Sequence, residues 1–343
     1  MDKKDFFCST PFTYTEVFDD KQFLCCPGWL KEDIYESDNI LKNFHSEKSN
    51  KIRESILDGS YKYCDEKQCP YLASLSKGKL LDRRLKLKAA NPIPKPHIAS
   101  INFCFDRSCN LQCPSCRNEL INYLGNDRIK VDDKLRQVEE NFSKTLQYLY
   151  LSGSADPFYS KSFRQFLINF DPTKFPLLRN IHLHTNGLLW TEKLWSRMKN
   201  IHKFVNSCEI SIDAASKTTY ETKTRIGGNW NTLLERLDFI TNITSVKNQR
   251  FSFVVQDTNY FEMYDFCKLI SDKFTGKRKN FSIFFNHITN WGTYSEEQYL
   301  EKDVSNPNHK LHQDFLKHLS KIDSLPNVEH NFQQFVNKKS SLI

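Results

Sequence analysis

The chain has 343 residues, 39% of them hydrophobic and 26% charged, with 27 Phe and 14 Tyr. That mix folds into globular structure, and the length exceeds one small domain, so one large α/β barrel or two unequal domains are expected. The net charge of +8 is carried by scattered lysines such as Lys268, Lys273, Lys277 and Lys279 on polar helix faces. No nucleic-acid motif of defined spacing accompanies them, so nucleic acid is not an expected partner.

The N-terminus, from Met1 through Phe6 and Phe7, lacks the apolar core of a signal peptide. No run of about 18 apolar residues occurs, so no membrane partner is expected and the chain reads as cytoplasmic. In a reducing compartment, eleven cysteines argue against a disulfide framework and for metal or redox chemistry. Nine of the eleven lie in the first 116 residues.

The first group is Cys8, Cys25, Cys26, Cys64 and Cys69. Two strand-like stretches flank Asp19-Asp20-Lys21, which predicts a hairpin bringing Cys8 near Cys25 or Cys26. The segment 60–71 returns Cys64 and Cys69, so four thiols can satisfy one metal. A zinc knuckle that stabilises a small domain is the alternative reading of these four.

A stiff stretch, Pro92 to Pro96, marks a boundary. Residues 98–103 then read as a buried strand, with Cys104 packed beside it. The loop 108–117 carries Cys109, Cys113 and Cys116 at C-x3-C-x2-C. Three thiolates on one tight loop can hold three irons of a cubane and leave the fourth open to a chelating ligand. No fourth Cys or His follows closely, as zinc would require.

Strand-like segments recur at 149–151, 181–185, 208–212, 250–256 and 281–285, separated by helical patterns at 134–147, 162–170 and 232–243. Repeated βα units predict a parallel barrel whose site lies at the strand C-terminal ends. Those ends carry Ser154-Ala155-Asp156, Thr185-Asn186-Gly187, Ser211-Ile212-Asp213, Arg225-Ile226-Gly227-Gly228 and Gln256, with Asn259 just beyond. Cys208 and Cys267 read as core thiols. After 290 comes a polar helical stretch at 309–322, whose His309, His312 and His318 lack partners and read as surface.

The loop 108–117 resembles the cluster loop of the radical S-adenosylmethionine (SAM) superfamily, and the likeness extends over about 98–290. It implies a [4Fe-4S] cluster on Cys109, Cys113 and Cys116, with SAM at the open iron. Ser154, Ala155 and Asp156 stand where the family's Gly-Gly-Glu receives the SAM amino group, with both glycines replaced and the acid shortened. Thr185 and Asn186 match the third strand end, and Ser211 and Asp213 match the fourth, facing the ribose and methionyl end. Arg225 resembles the family's Arg-x-Gly-Gly arginine, which suits the SAM carboxylate as a planar fork. Gln256 and Asn259 follow the fifth strand as further cofactor contacts.

The N-terminal cysteines resemble auxiliary iron–sulfur modules of the SPASM and twitch types, although those normally follow the barrel. Aligning Asp20-Lys21 with the usual turn favours Cys8, Cys26, Cys64 and Cys69 as ligands of an auxiliary [4Fe-4S] cluster, with Cys25 as neighbour.

The implied fold class is α/β: a partial (β/α)6 TIM-like radical SAM barrel at 97–290. A small cysteine-rich hairpin domain at 1–90 precedes it, and a helical extension at 291–343 follows. The implied activity is reductive cleavage of SAM to a 5′-deoxyadenosyl radical that abstracts hydrogen from a peptide or protein side chain, sugar or small alcohol. Oxidation, crosslinking or epimerisation would follow, with flavodoxin or ferredoxin as electron donor. Two rival readings are a zinc-binding structural or nucleic-acid-binding protein and a SAM-binding protein without turnover.

Overall fold

A computed structural model describes residues 1–336 except 82, 152, 153, 278 and 279. Lys279, Ser152 and Gly153 of the segments above therefore lie outside the described residues. The chain divides into two compact units. The first comprises Met1–Asp106, Tyr123–Ser154 and Asp171–Ile181, and the second Arg107–Asn122, Ala155–Phe170 and His182–Ile343.

In the first unit, β1 (Phe6–Cys8), β2 (Tyr14–Phe18) and β3 (Gln22–Phe23) precede β4 (Leu85–Leu87), β5 (Ser100–Cys104) and β6 (Tyr148–Leu151). The expected hairpin is present. β2 and β3 pair antiparallel with Val17 opposite Gln22, and Phe18 N–H closes the turn on Lys21 O at 2.7 Å. β2 also pairs parallel with β5, Val17 opposite Phe103, and β5 pairs parallel with β6. The N-terminal segment is thus built into the same ladder as the strand before the cluster loop, and the boundary expected between 90 and 97 falls inside one unit. β1 pairs antiparallel with β4, setting Cys8 opposite Leu85.

The next strand is β7 (Asn180–Thr185), of which the residues from His182 on belong to the second unit, and β8 (Ser207–Ser211), β9 (Asn248–Val255), β10 (Asn280–His287) and β11 (Val328–His330) lie within that unit. β7 to β11 pair in sequence order, every pair parallel. All six expected strand segments are strands, and the protein is mixed α/β with mostly parallel pairing. Among the described residues no ladder closes into a ring.

Alternation decides which face is buried. On β7 and β8, Ile181, Leu183, Cys208 and Ile210 are buried, while His182, His184, Glu209 and Ser211 lie half-buried on the other face. Helices appear at Lys161–Ile168 and Trp230–Ile240 as expected, whereas the stretch expected at 134–147 falls on a helix that runs earlier, Gly125–Asn141. Cys208 and Cys267 are core thiols. His312 departs from its surface reading: it is buried, with Nδ1 2.9 Å from Val304 O, and it lies against Phe315 and Phe335. No helix among the described residues is long and apolar enough to cross a membrane.

The sheet of the second unit is fastened to the helix Met263–Phe274 by aromatic packing. Phe253 is fully buried, with its ring centroid 5.0 Å from Phe266 and 5.3 Å from Phe285. Phe253→Ala removes a ring from a close-packed site and should cost about 3–5 kcal/mol in urea unfolding, with Phe253→Leu costing clearly less.

Candidate cluster and cofactor site

The cluster loop belongs wholly to the second unit. A tight turn brings its last two cysteines together, because Cys116 N–H and Arg117 N–H both donate to Cys113 O, at 2.9 and 3.0 Å. Cys109 N–H donates to Ile121 O at 3.0 Å and closes the loop at its other end. Cys109 and Cys113 are buried and Cys116 is half-buried.

Each thiol is met by a different N–H donor. Asn186 Nδ2 lies 3.8 Å from Cys109 Sγ, an Arg225 guanidinium nitrogen 3.6 Å from Cys113 Sγ, and an Arg117 nitrogen 3.4 Å from Cys116 Sγ. Arg117 also donates to Arg107 O at 2.7 Å, which fixes its direction. Burial, and then Asp156 nearby, pushes the Cys109 thiol up to about 12. Burial also raises Cys113, against the pull of Arg225. Metal ligation displaces the thiol proton, and the buried donors would then meet thiolates.

Arg225 was read as a partner of the SAM carboxylate. In the structure it forms a buried ion pair with Asp213 at 2.8 Å. Asp213 has a left-handed backbone, φ 60, a conformation uncommon for a non-glycine residue and held here by several contacts at once. Its carboxylate accepts Val254 N–H at 2.8 Å, and its carbonyl accepts the Asn259 amide at 3.0 Å. Asn259 also donates to Val254 O and accepts Gln256 N–H. Asn259, expected as a cofactor contact, thus spends its amide on backbone and supports Asp213.

The turn after Arg225 explains its two glycines. Gly227 has φ +89, and Gln112 N–H donates to Ile226 O at 2.9 Å, laying the turn against the cluster loop. A Cβ on Gly228 would stand 2.6 Å from Tyr220 and 2.9 Å from Arg225 O. Any side chain there would force the Tyr220 ring or the Arg225 backbone to shift.

Asp156 was read as the acid that receives the SAM amino group. Its buried carboxylate accepts N–H groups of Phe158, Tyr159 and Asn186 and the hydroxyl of Thr185, the last at 2.7 Å. Its own N–H donates to Ser108 O at 2.9 Å. Asp156 therefore latches the end of β7 and the start of the cluster loop. Thr185 and Asn186 are members of that latch. Ser154, in the first unit, has its hydroxyl within 2.6 Å of Cys104 O and 2.8 Å of Asp106 O, beside the half-buried Ala155 in sequence. Ser211 meets His184 Nε2 at 2.7 Å and Ser252 Oγ at 3.0 Å. Arg117 and His184 had no assigned role in the sequence. Arg117 was detectable as a cation adjoining the last cysteine, whereas His184 carried no signal beyond strand alternation.

Of the N-terminal cysteines, which lie in the first unit, all but Cys26 line one cavity. Leu30 bridges to Cys64, and Asp65 N–H donates to Trp29 O at 2.8 Å, which ties the turn after Cys26 to the returning segment. Asp65 then accepts the N–H groups of Lys67 and Gln68 on its carboxylate and of Cys69 on its carbonyl, curling Cys69 back. Cys8, Cys25, Cys64 and Cys69 line the cavity with Trp29 and Arg84. Cys25 thus occupies the wall that the sequence alignment assigned to Cys26. Among the described residues no three His, Cys, Asp or Glu side chains converge to hold a single metal ion as they stand.

On β2, Glu16 is buried and accepts from Tyr14 Oη at 2.9 Å and the Cys104 thiol at 3.4 Å.

No family model matches the chain, and no curated protein matches it. Solved structures do. Streptococcus suis SuiB bound to precursor peptide SuiA is similar over 70% of this chain and 51% of that one, at 11% identity and TM-score 0.46. SuiB bound to S-adenosylmethionine is similar over 84% and 57%, at 12% identity and TM-score 0.45. Native anSMEcpe with bound AdoMet and Kp18Cys peptide is similar over 62% and 59%, at 16% identity and TM-score 0.36. The chain spans about half the length of the SuiB structures it matches. At such identities and scores the likeness carries no functional weight.

Two predictions follow from these contacts. Asp213→Asn leaves the Arg225 guanidinium buried without its counter-charge and should cost about 3–5 kcal/mol in chemical denaturation. The second concerns Glu16. Burial first, and then nearby Cys26, raises its carboxyl from 4.5 to about 7. The folded state therefore holds a proton that the unfolded chain releases between those values. The resulting stability is complete below about pH 4.5 and is lost as pH rises through 7. Glu16→Gln lacks that slope. Unfolding free energies of the two metal-free proteins should diverge by up to about 3 kcal/mol between pH 4.5 and 7.5, in favour of the variant at the upper end.

Proposed function

We propose that the chain is a radical SAM enzyme, holding a [4Fe-4S] cluster on Cys109, Cys113 and Cys116 with SAM at the open iron. The observation that carries this reading is the loop itself: three thiols on one short loop, each within reach of its own N–H donor. A zinc site would call for a fourth thiol or imidazole converging on the same point. The donor set here is all sulfur and one ligand short, which suits a cubane with an exchangeable corner.

When bound, the cluster and SAM supply reductive cleavage of the sulfonium and a hydrogen-abstracting group. The chain's residues bind and orient. Arg117 and Arg225 place positive charge on the thiolates, and Asp213 keeps Arg225 from turning away. Asp156 with Thr185 and Asn186 holds the loop against the end of β7. Ser211, Gln256 and Ala155 lie at or beside these strand ends, as cofactor contacts require in a parallel α/β fold. The substrate is a peptide or protein side chain or a small alcohol or sugar, and the outcome is oxidation, crosslinking or epimerisation. Flavodoxin or ferredoxin is the electron donor in this reading.

The N-terminal cavity is proposed to hold an auxiliary [4Fe-4S] cluster on Cys8, Cys64, Cys69 and one of the adjacent Cys25 and Cys26. Cysteines distributed around a cavity suit a group that spreads its ligands over four irons, whereas zinc gathers four sulfurs about one ion at about 2.3 Å. The cavity wall favours Cys25 as the fourth ligand.

Iron and acid-labile sulfide per chain after anaerobic reconstitution test both sites. Native protein should carry about eight irons, and the variant with Ala at Cys109, Cys113 and Cys116 about four. About four falling to none would remove the auxiliary cluster alone. No iron in either protein, with zinc bound, would overturn the radical SAM reading.

A further inference from the structure

Arg84 takes no part in holding a metal, yet it is built into the wall of the N-terminal cysteine cavity. Its backbone is tied to the strand that carries Cys8: Ser9 N–H donates to Arg84 O at 2.9 Å, and Cys8 stands opposite Leu85 in the β1–β4 ladder. Its guanidinium lies over two aromatic faces, 5.0 Å from the Trp29 centroid and 5.2 Å from that of Tyr71. The two rings meet at 6.3 Å with a 64° interplanar angle.

Both rings are delivered by cysteine-bearing turns. Trp29 N–H donates to Cys26 O at 3.2 Å, and Tyr71 opens the helix Pro70–Ser76 that begins immediately after Cys69. The rings leave the guanidinium edge free, and that edge faces sulfur. One nitrogen lies 3.4 Å from Cys25 Sγ and 3.8 Å from Cys26 Sγ, and the other 3.7 Å from Cys26 Sγ. A guanidinium is permanently charged and only donates, so this edge meets sulfur as a cationic hydrogen-bond donor whichever cysteine of the pair is the ligand.

We propose that Arg84 is a redox-tuning positioning residue, caged by Trp29 and Tyr71, which raises the reduction potential of the auxiliary iron–sulfur cluster through N–H···S hydrogen bonds to Cys25 and Cys26. The inference rests on the auxiliary-cluster reading above. Reduction adds a negative charge that is shared onto the ligand sulfurs. A fixed cation and its hydrogen bonds stabilise the reduced form more than the oxidised one. The aromatic rings hold water away from the guanidinium faces, so its field is less screened than that of a surface arginine. If the side chain only filled the cavity wall, an uncharged chain of similar length would serve as well.

The test uses the full chain with Ala at Cys109, Cys113 and Cys116, reconstituted anaerobically, so that the N-terminal site alone contributes a signal. Midpoint potentials are read by EPR-monitored redox titration for Arg84, Arg84→Lys and Arg84→Gln, with iron per chain measured on each. With about four irons in all three, the potential should move to more negative values in Arg84→Gln. Arg84→Lys should fall between the two, since it keeps the charge and loses the planar fork. Equal potentials at equal iron would overturn the proposal while leaving the cluster in place. Iron lost in both Arg84 variants and retained with Arg84 would assign the residue to assembly and would also overturn it. No iron with Arg84 itself present would sink the cluster reading first, and the tuning proposal with it.

Discussion

A thiolate buried among apolar side chains is unstable unless positive charge or hydrogen-bond donors meet it, and the cluster loop is arranged around that constraint. Cys113 is buried, and so is the Arg225 guanidinium that reaches it. A buried arginine needs a counter-charge in turn, and Asp213 supplies it at 2.8 Å. Asp213 can hold that position only by taking a left-handed backbone after β8, which Val254 and Asn259 stabilise from the end of β9. One sulfur thus dictates the local conformation of two strand ends. Gly227 and Gly228 follow from the same requirement, because the turn they form carries Arg225 against the loop.

Much of the fold was legible from local pattern. Period-two alternation and the helical stretches between strands located all six core strands, and the Asp-Asp-Lys turn located the β2–β3 hairpin. The second partner of β2 was not legible. Its residues Tyr14 to Phe18 read as a hairpin arm, and nothing local says that an arm also pairs parallel with a strand some 85 positions onward. Glu16, on that arm, looks like a solvent-facing acid in sequence and is buried in the structure, where β2 lies between β3 and β5. His312 misled in the same way: a polar helix pattern leaves open which turn faces the core.

The three cysteines of the loop 108–117 were legible as candidate ligands because they share one short segment, and spacing records that. Asp156 and Asn259 were expected as cofactor contacts, and the structure adds a scaffolding role to each. The Asn259 amide bonds backbone, and the Asp156 carboxylate bonds backbone N–H groups and the Thr185 hydroxyl. For Asp156 a local cue existed. An acid two and three positions before Phe158 and Tyr159 is placed to cap their N–H groups, and the Asp156 carboxylate does so.

What spacing cannot record is charge compensation, since the compensating group arrives through topology. Arg225 reaches Cys113 from 112 positions away and Arg84 reaches Cys25 from 59. Arg117, adjacent to Cys116, is the exception. Ligand cysteines say where a metal group can sit, and the arginines say how negative the sulfurs can become at what energetic cost. In a chain whose net charge is spread thinly over solvated lysines, guanidinium is the cation that tolerates burial beside sulfur. It is weakly hydrated, cannot lose its proton, and offers a planar edge that can bond two partners at once. The donors at both cysteine groups therefore follow from the same physical demand, met in the one case by an ion pair and in the other by an aromatic cage.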